Sequence, residues 1–166
     1  MSSRLRDAAY TGGVDFRHEW ANRTWSITGQ FSPSYISGSE AVMVATQNSS
    51  ARYLGRPDAD HLEIDSTATS LTGYAATVNF GKRAGAFTGN IGFAATSPLY
   101  EINDLGFQTT ADRLSLDSRL NYRQNRPGRT FRSWSVGTGP EMHWNFGGDL
   151  IEAGTGLNLS GQLLSY

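Results

Sequence analysis

The chain contains no cysteine. That excludes a disulfide framework, a thiolate zinc centre and a cysteine nucleophile together. Charge is scarce as well. Only 17% of the residues are charged and the formal net charge is -1, so nothing in the total draws the chain to nucleic acid, and no nucleic-acid partner is expected. No stretch approaches the roughly 18 consecutive apolar residues of a membrane helix. The start, MSSRLRDAAYTGG, lacks the apolar centre of a secretory signal, so either the protein stays in the cytoplasm or Met1 is not the start of the natural polypeptide. The stock for surface helices is thin too, since nineteen glycines and many Ser and Thr stand where Ala, Leu, Glu and Lys would be needed.

What is present is alternation. In WSITGQFSPSY the odd positions are Trp25, Ile27, Gly29, Phe31, Pro33 and Tyr35, and the even ones are Ser, Thr or Gln. A period of two is the mark of a strand with one apolar and one polar face. The pattern recurs in VDFRHEW, TGYAATVNF, FTGNIGFA, RLSLDSRLNY, SWSVGTGPEMHW and LIEAGTGLNLSGQLL. Seven strands are therefore expected. Their links take turns in length: short ones near Asn22, near Arg83 and around Arg126 to Gly128, and long or irregular ones from Ser37 to Ser70, Ser97 to Thr110 and Asn145 to Asp149. In an up-and-down meander every second link lies at the same end, which gives a short-turn end and a long-loop end, as in outer-membrane barrels.

Three features decide what lies against the apolar side. The polar faces carry charges of both signs, Asp15, Arg17 and Glu19 on one strand and Arg113, Asp117 and Arg119 on another, which suits a wet lumen. Aromatics flank the short turns: Trp20 and Trp25, Phe80 and Phe87, Tyr122 with Phe131 and Trp134, while Tyr35, Tyr74 and Trp144 supply a second belt. The strands also run long enough for a tilted crossing of the hydrocarbon layer. Lipid is the expected neighbour.

The run from Arg52 to Asp58 (RYLGRPD), the run from Asn103 to Phe107 (NDLGF) and Trp144 to Gly148 (WNFGG) resemble a domain of unknown function. It is the outer-membrane β-barrel region of Gram-negative proteins that carry a carbohydrate-binding family 9-like domain ahead of the barrel. The resemblance implies a longer parent with a large barrel in the style of TonB-dependent receptors. It brings no catalytic residues. A carbohydrate-like ligand is what the neighbouring domain implies.

Other chemistry is weaker. PDADHLEID gathers Asp58, Asp60, His61, Glu63 and Asp65, but lacks the ligand order and glycine of a calcium loop, and is read as a solvated acidic loop. Glu141 and His143 share a polar face with Asn145 following; they are read as lumen lining, and alternatively as the acid/base pair of a barrel-embedded hydrolase. His18 falls on the lipid side near Trp20, and His61 is a loop residue. Gly137-Thr-Gly139 and Gly154-Thr-Gly156 open no helix, so they are not phosphate loops.

Residues 1–166 are thus expected to form part of an all-β, antiparallel up-and-down transmembrane β-barrel of about seven strands, a partial outer-membrane β-barrel domain belonging to a larger barrel. No catalytic, cofactor-binding or metal residue is assigned. The expected location is the cell outer membrane, and the expected partners are its lipid bilayer, a carbohydrate-like ligand and the remainder of the parent barrel. A non-enzymatic role in passage or binding leads; the alternatives are the hydrolase with Glu141 and His143 and a soluble β-sheet binding protein.

Overall fold

The computed structural model describes residues 5–57, 59–104 and 106–165. Met1, Asp58, Leu105 and Tyr166 lie outside the described residues. Ten strands and one helix follow in chain order: β1 (Ala8–Thr11), β2 (Val14–Trp20), β3 (Trp25–Ser37), α1 (Glu40–Gln47), β4 (Ser70–Lys82), β5 (Phe87–Thr96), β6 (Arg113–Gln124), β7 (Phe131–Thr138), β8 (Glu141–Trp144), β9 (Leu150–Gly154) and β10 (Leu157–Leu163).

All the strands join one antiparallel sheet, and they lie along seven lines. β1 and β2 share one register on β3, with Thr11 opposite Ser34 and Val14 opposite Phe31. Gly12 and Gly13 merely interrupt that ladder. β7 and β8 share one register on β6 in the same way, Thr138 opposite Leu120 and Glu141 opposite Asp117; Pro140, which has no N–H to give, marks the interruption. β9 and β10 then line up on β8 and β7. The seven expected strands are these seven lines. The residues before Gly12 lengthen the first line rather than adding another.

Each line pairs with the next along the chain, so the sheet is a meander. It is open: among the described residues the β1–β2 edge and the β9–β10 edge do not pair with each other. A closed barrel is not formed by these strands alone.

Local chemistry explains the turns. At the β2–β3 turn Ala21, Asn22 and Arg23 have φ of 50, 53 and 63°, and the Thr24 N–H donates to the Ala21 carbonyl at 3.0 Å. Two left-handed central residues make the hairpin turn whose twist matches its strands, and Asn accepts that conformation readily. The third of the long links proves to be tight. Asn145 and Asp149 exchange side-chain and backbone hydrogen bonds of 2.8 Å around Gly148 at φ 92°. The asymmetry of the two ends therefore rests on the links 38–69 and 97–112, and the first of these contains α1, a helix that composition did not lead one to expect.

The faces of the sheet differ sharply. Phe16, Phe31, Val78, Ile91, Phe93 and Leu159 all point to one side and are exposed. Among the described residues nothing covers them. The buried apolar cluster of Ile36, Val42, Met43 and Leu71 lies on the other side, because Ile36 and Leu71 occupy the positions of β3 and β4 that alternate with the exposed rings, and α1 drops Val42 and Met43 onto them. Ring pairs sit at both ends of the exposed face. Trp20, Trp25 and Phe80 cluster at 5.4–6.5 Å between centroids near the short turns, with Tyr122 and Trp134 at 5.4 Å; Phe31 with Tyr74 and Tyr10 with Tyr35 stand toward the long loops. His18 stacks on Trp20 at 5.5 Å, on the apolar side where alternation puts it.

Candidate functional site

The long-loop end of the polar face is filled by the chain's own loops. β3 and β4 present Ser34, Ile36, Leu71 and Gly73 there. A Cβ at Gly73 would run into the backbone of Tyr100, so the glycine is what lets the 97–112 loop lie flat on the sheet. That loop is pinned by hydrogen bonds: the Ser34 hydroxyl accepts from the Glu101 N–H at 3.0 Å, and the Tyr100 hydroxyl meets the Ser32 hydroxyl at 3.0 Å. Beside it a cavity of about 400 Å³ opens over Gln30, Ser32 and Thr77.

Within this plug two carboxylates act as hubs. Glu101, nearly sealed from solvent, pairs with the fully buried Arg52 at 2.5 Å and with Arg6 at 3.1 Å. Arg52 also donates to the Tyr100 carbonyl, while its Nε is buried without a hydrogen-bond partner among the described residues. Burial pulls the Arg52 guanidinium below the usual arginine range, and the charge and hydrogen bond of Glu101 push back. The second hub is Asp112, buried and at φ 54°. It accepts from Arg56, from His61 at 3.0 Å and from the Phe146 N–H at 2.9 Å. A left-handed non-glycine residue persists where its surroundings over-determine it, and three partners do so here.

His61 is therefore more than a loop residue. Its ring reaches Asp112 and lies under Gly147, where any Cβ would collide with it. The three sequence runs that carry the resemblance meet at the two hubs: Arg52 of the first and the Asn103 N–H of the second both reach Glu101, and Arg56 of the first and the Phe146 N–H of the third both reach Asp112. In the acidic run, Asp65 is tied locally to the Thr67 hydroxyl at 2.7 Å and the Thr67 N–H at 2.9 Å, and these bonds hold its carboxyl below the ordinary range.

Glu141 and His143 lie on the polar face of the sheet, beyond the loops that cover its long-loop end. The antiparallel register sets Glu141 opposite Asp117 and His143 opposite Ser115. One possible ligand atom from each of Asp117, Glu141 and His143 lies within 4.8 Å of the others, a nitrogen and oxygen donor set of the kind that suits a borderline divalent ion such as zinc. The imidazole is largely buried and its Nδ1 shares a hydrogen with the Ser115 hydroxyl at 2.9 Å. Spacing found the pair Glu141 and His143; it missed Asp117 and Ser115, which only strand register brings in. Arg113 reaches Glu152 at 3.7 Å across the same face.

Comparison with curated proteins and with solved structures finds no match. A family model does match, described as Domain of unknown function (DUF5916), over residues 1–162. Its span takes in β1 to β9, all of β10 but Leu163, the loops with their two carboxylate hubs and the Ser115–His143 pair, and the chain belongs to that family.

Proposed function

We propose that this chain is a segment of an outer-membrane β-barrel, non-enzymatic, whose polar face lines a lumen and whose loop plug narrows it, serving binding or passage of a carbohydrate-like substrate. The remainder of the parent barrel pairs with the two open sheet edges. The observation that supports the reading most is the uncovered apolar face, with its rings at both ends, set against a core built on the opposite, polar side. A water-soluble sheet buries its apolar face first. The ring clusters suit the two interfaces of a bilayer, and strands of 10–13 residues, as in β3 to β6, suit a tilted crossing.

Fractionation tests it. Expressed with an export signal, the chain should pellet with outer membranes, resist extraction by carbonate and high salt, and need detergent to stay dispersed. Monomeric recovery from the soluble fraction without detergent would contradict the reading. One observation favours a second one: the 2.9 Å contact of Ser115 with His143, with carboxylates beside it, has the parts of an acyl hydrolase. Ester hydrolysis abolished by Ser115→Ala and by His143→Ala alike would support that alternative; absence of any hydrolysis removes it.

A further inference from the structure

From the short-turn half of the inner wall we infer that the chain carries a binding trough for an acidic saccharide, one bearing carboxylate, sulfate or phosphate groups. The inference deepens the barrel reading, since it takes the polar face as a wet lumen. Register fixes the floor. Glu19, Ser26, Gly81, Asn90 and Arg119 stand opposite one another in a single row from β2 to β6, four strand spacings or about 19 Å. The middle of the row is small. Ser26 is buried, and a Cβ at Gly81 would press on its hydroxyl at 3.2 Å, so the floor is low between two charged ends.

Both ends carry guanidiniums. Glu19 serves three guanidiniums, Arg83 at 2.9 Å, Arg17 at 3.6 Å and Arg23 at 3.7 Å, which leaves a surplus of cation around one carboxylate. At the other end Arg119 and Arg123 flank Asn121 on the inward positions of β6, and neither has an acidic partner among the described residues. Two open cavities, of about 470 and 500 Å³, meet there and share Arg119 and Asn121.

The class of ligand follows from what the wall offers. Guanidiniums grip carboxylate, sulfate or phosphate oxygens two at a time. The amides of Asn79, Asn90 and Asn121 and the hydroxyls of Thr28 and Thr88 can serve both donors and acceptors of sugar hydroxyls. Every ring of these strands faces the apolar side, so among the described residues the trough has no aromatic platform on which a neutral sugar could stack. Charge and hydrogen bonding must carry recognition.

Titration of the full chain in detergent tests this, with trigalacturonate as the acidic probe and maltotriose as the neutral one. The acidic trimer should bind at least ten-fold more tightly, weaken as salt rises, and lose at least ten-fold in Arg119→Ala/Arg123→Ala, whose circular dichroism stays that of the parent. Arg119→Lys/Arg123→Lys should fall between, since charge remains but the planar fork is lost. Equal affinity for both trimers, an unchanged affinity in the alanine variant, or displacement of trigalacturonate by equimolar inorganic phosphate would overturn the proposal. Recovery in membranes without trigalacturonate binding would overturn the trough and leave the barrel reading standing; binding by a detergent-independent soluble protein would do the reverse.

Discussion

The two sides of this sheet invert the usual arrangement. On the side that reads as polar, the molecule builds a core: Ile36, Leu71, Val42 and Met43 touch there, and buried ion pairs around Glu101 and Asp112 lock the loops above them. On the side that reads as apolar it builds nothing, and Phe93 and Leu159 remain 46% and 70% exposed. Hydrophobicity of a strand face is thus no guide to where a protein keeps its interior. On the barrel reading proposed above, it reports the solvent the face was made for.

The comparison predicts that one substitution has opposite consequences on the two sides. The largest effect belongs to the plug. Arg52→Ala leaves Glu101, in a sealed site, with Arg6 as its remaining cation, and breaking a buried pair in this way costs up to about 3–5 kcal/mol. Hydrogen exchange of α1 and of residues 97–112 should accelerate by the corresponding factor, whereas Arg52→Met combined with Glu101→Met should restore much of the protection. If Arg52→Ala left that exchange unchanged, the plug would not depend on its ion pairs.

Next comes a charge placed on the bare side. Phe93→Arg should weaken insertion into vesicles by about 2–4 kcal/mol, and Asn90→Arg, three residues earlier on the inward face, should leave insertion nearly unchanged. Equal effects would erase the distinction between the faces. Smaller still is the loss of a ring at the turn end. Trp134→Ala, which removes the 5.4 Å partner of Tyr122, should cost on the order of 1 kcal/mol in the lipid-inserted state, read from urea midpoints in vesicles.

Asp65 should show the least. Thr67 holds its carboxyl below the ordinary range, so whatever the turn contributes is present above the unfolded value and fades as pH falls through the folded one. Asp65→Asn should therefore differ from the parent in local exchange at neutral pH and match it in strong acid. A difference that grew on acidification would reverse the sign.

Much of the fold could be read in advance because period two survives interruption. Gly12–Gly13, Gly139–Pro140 and Thr155–Gly156 break the ladder without shifting which side Val14, Met142 or Leu157 faces. The helix Glu40–Gln47 was not legible, being two turns of EAVMVATQ inside a long link, stabilised by what Val42 and Met43 land on rather than by its own propensity. The plug was legible only as motifs. Arg52 gives no sign that its partner is Glu101, nor Arg56 that it meets Asp112, because those pairings span about a third of the chain and are set by how two loops fold back over Gly73. Glu141 and His143 were visible through local alternation, while Ser115 and Asp117 needed the neighbouring strand's register.

The central claim is that lipid covers the apolar side, and the absence of native cysteine makes a direct measurement simple. Single cysteines introduced at Val78, Asn79, Phe80, Asn90, Ile91 and Phe93 would be spin-labelled in vesicle-inserted protein, and each label's collision rates with oxygen and with a water-soluble nickel chelate compared. The account predicts that labels at 78, 80, 91 and 93 favour oxygen while those at 79 and 90 favour the chelate, switching side with every step along β4 and from 90 to 91 on β5. Labels at 78, 80, 91 and 93 that met the chelate as freely as their neighbours would contradict it.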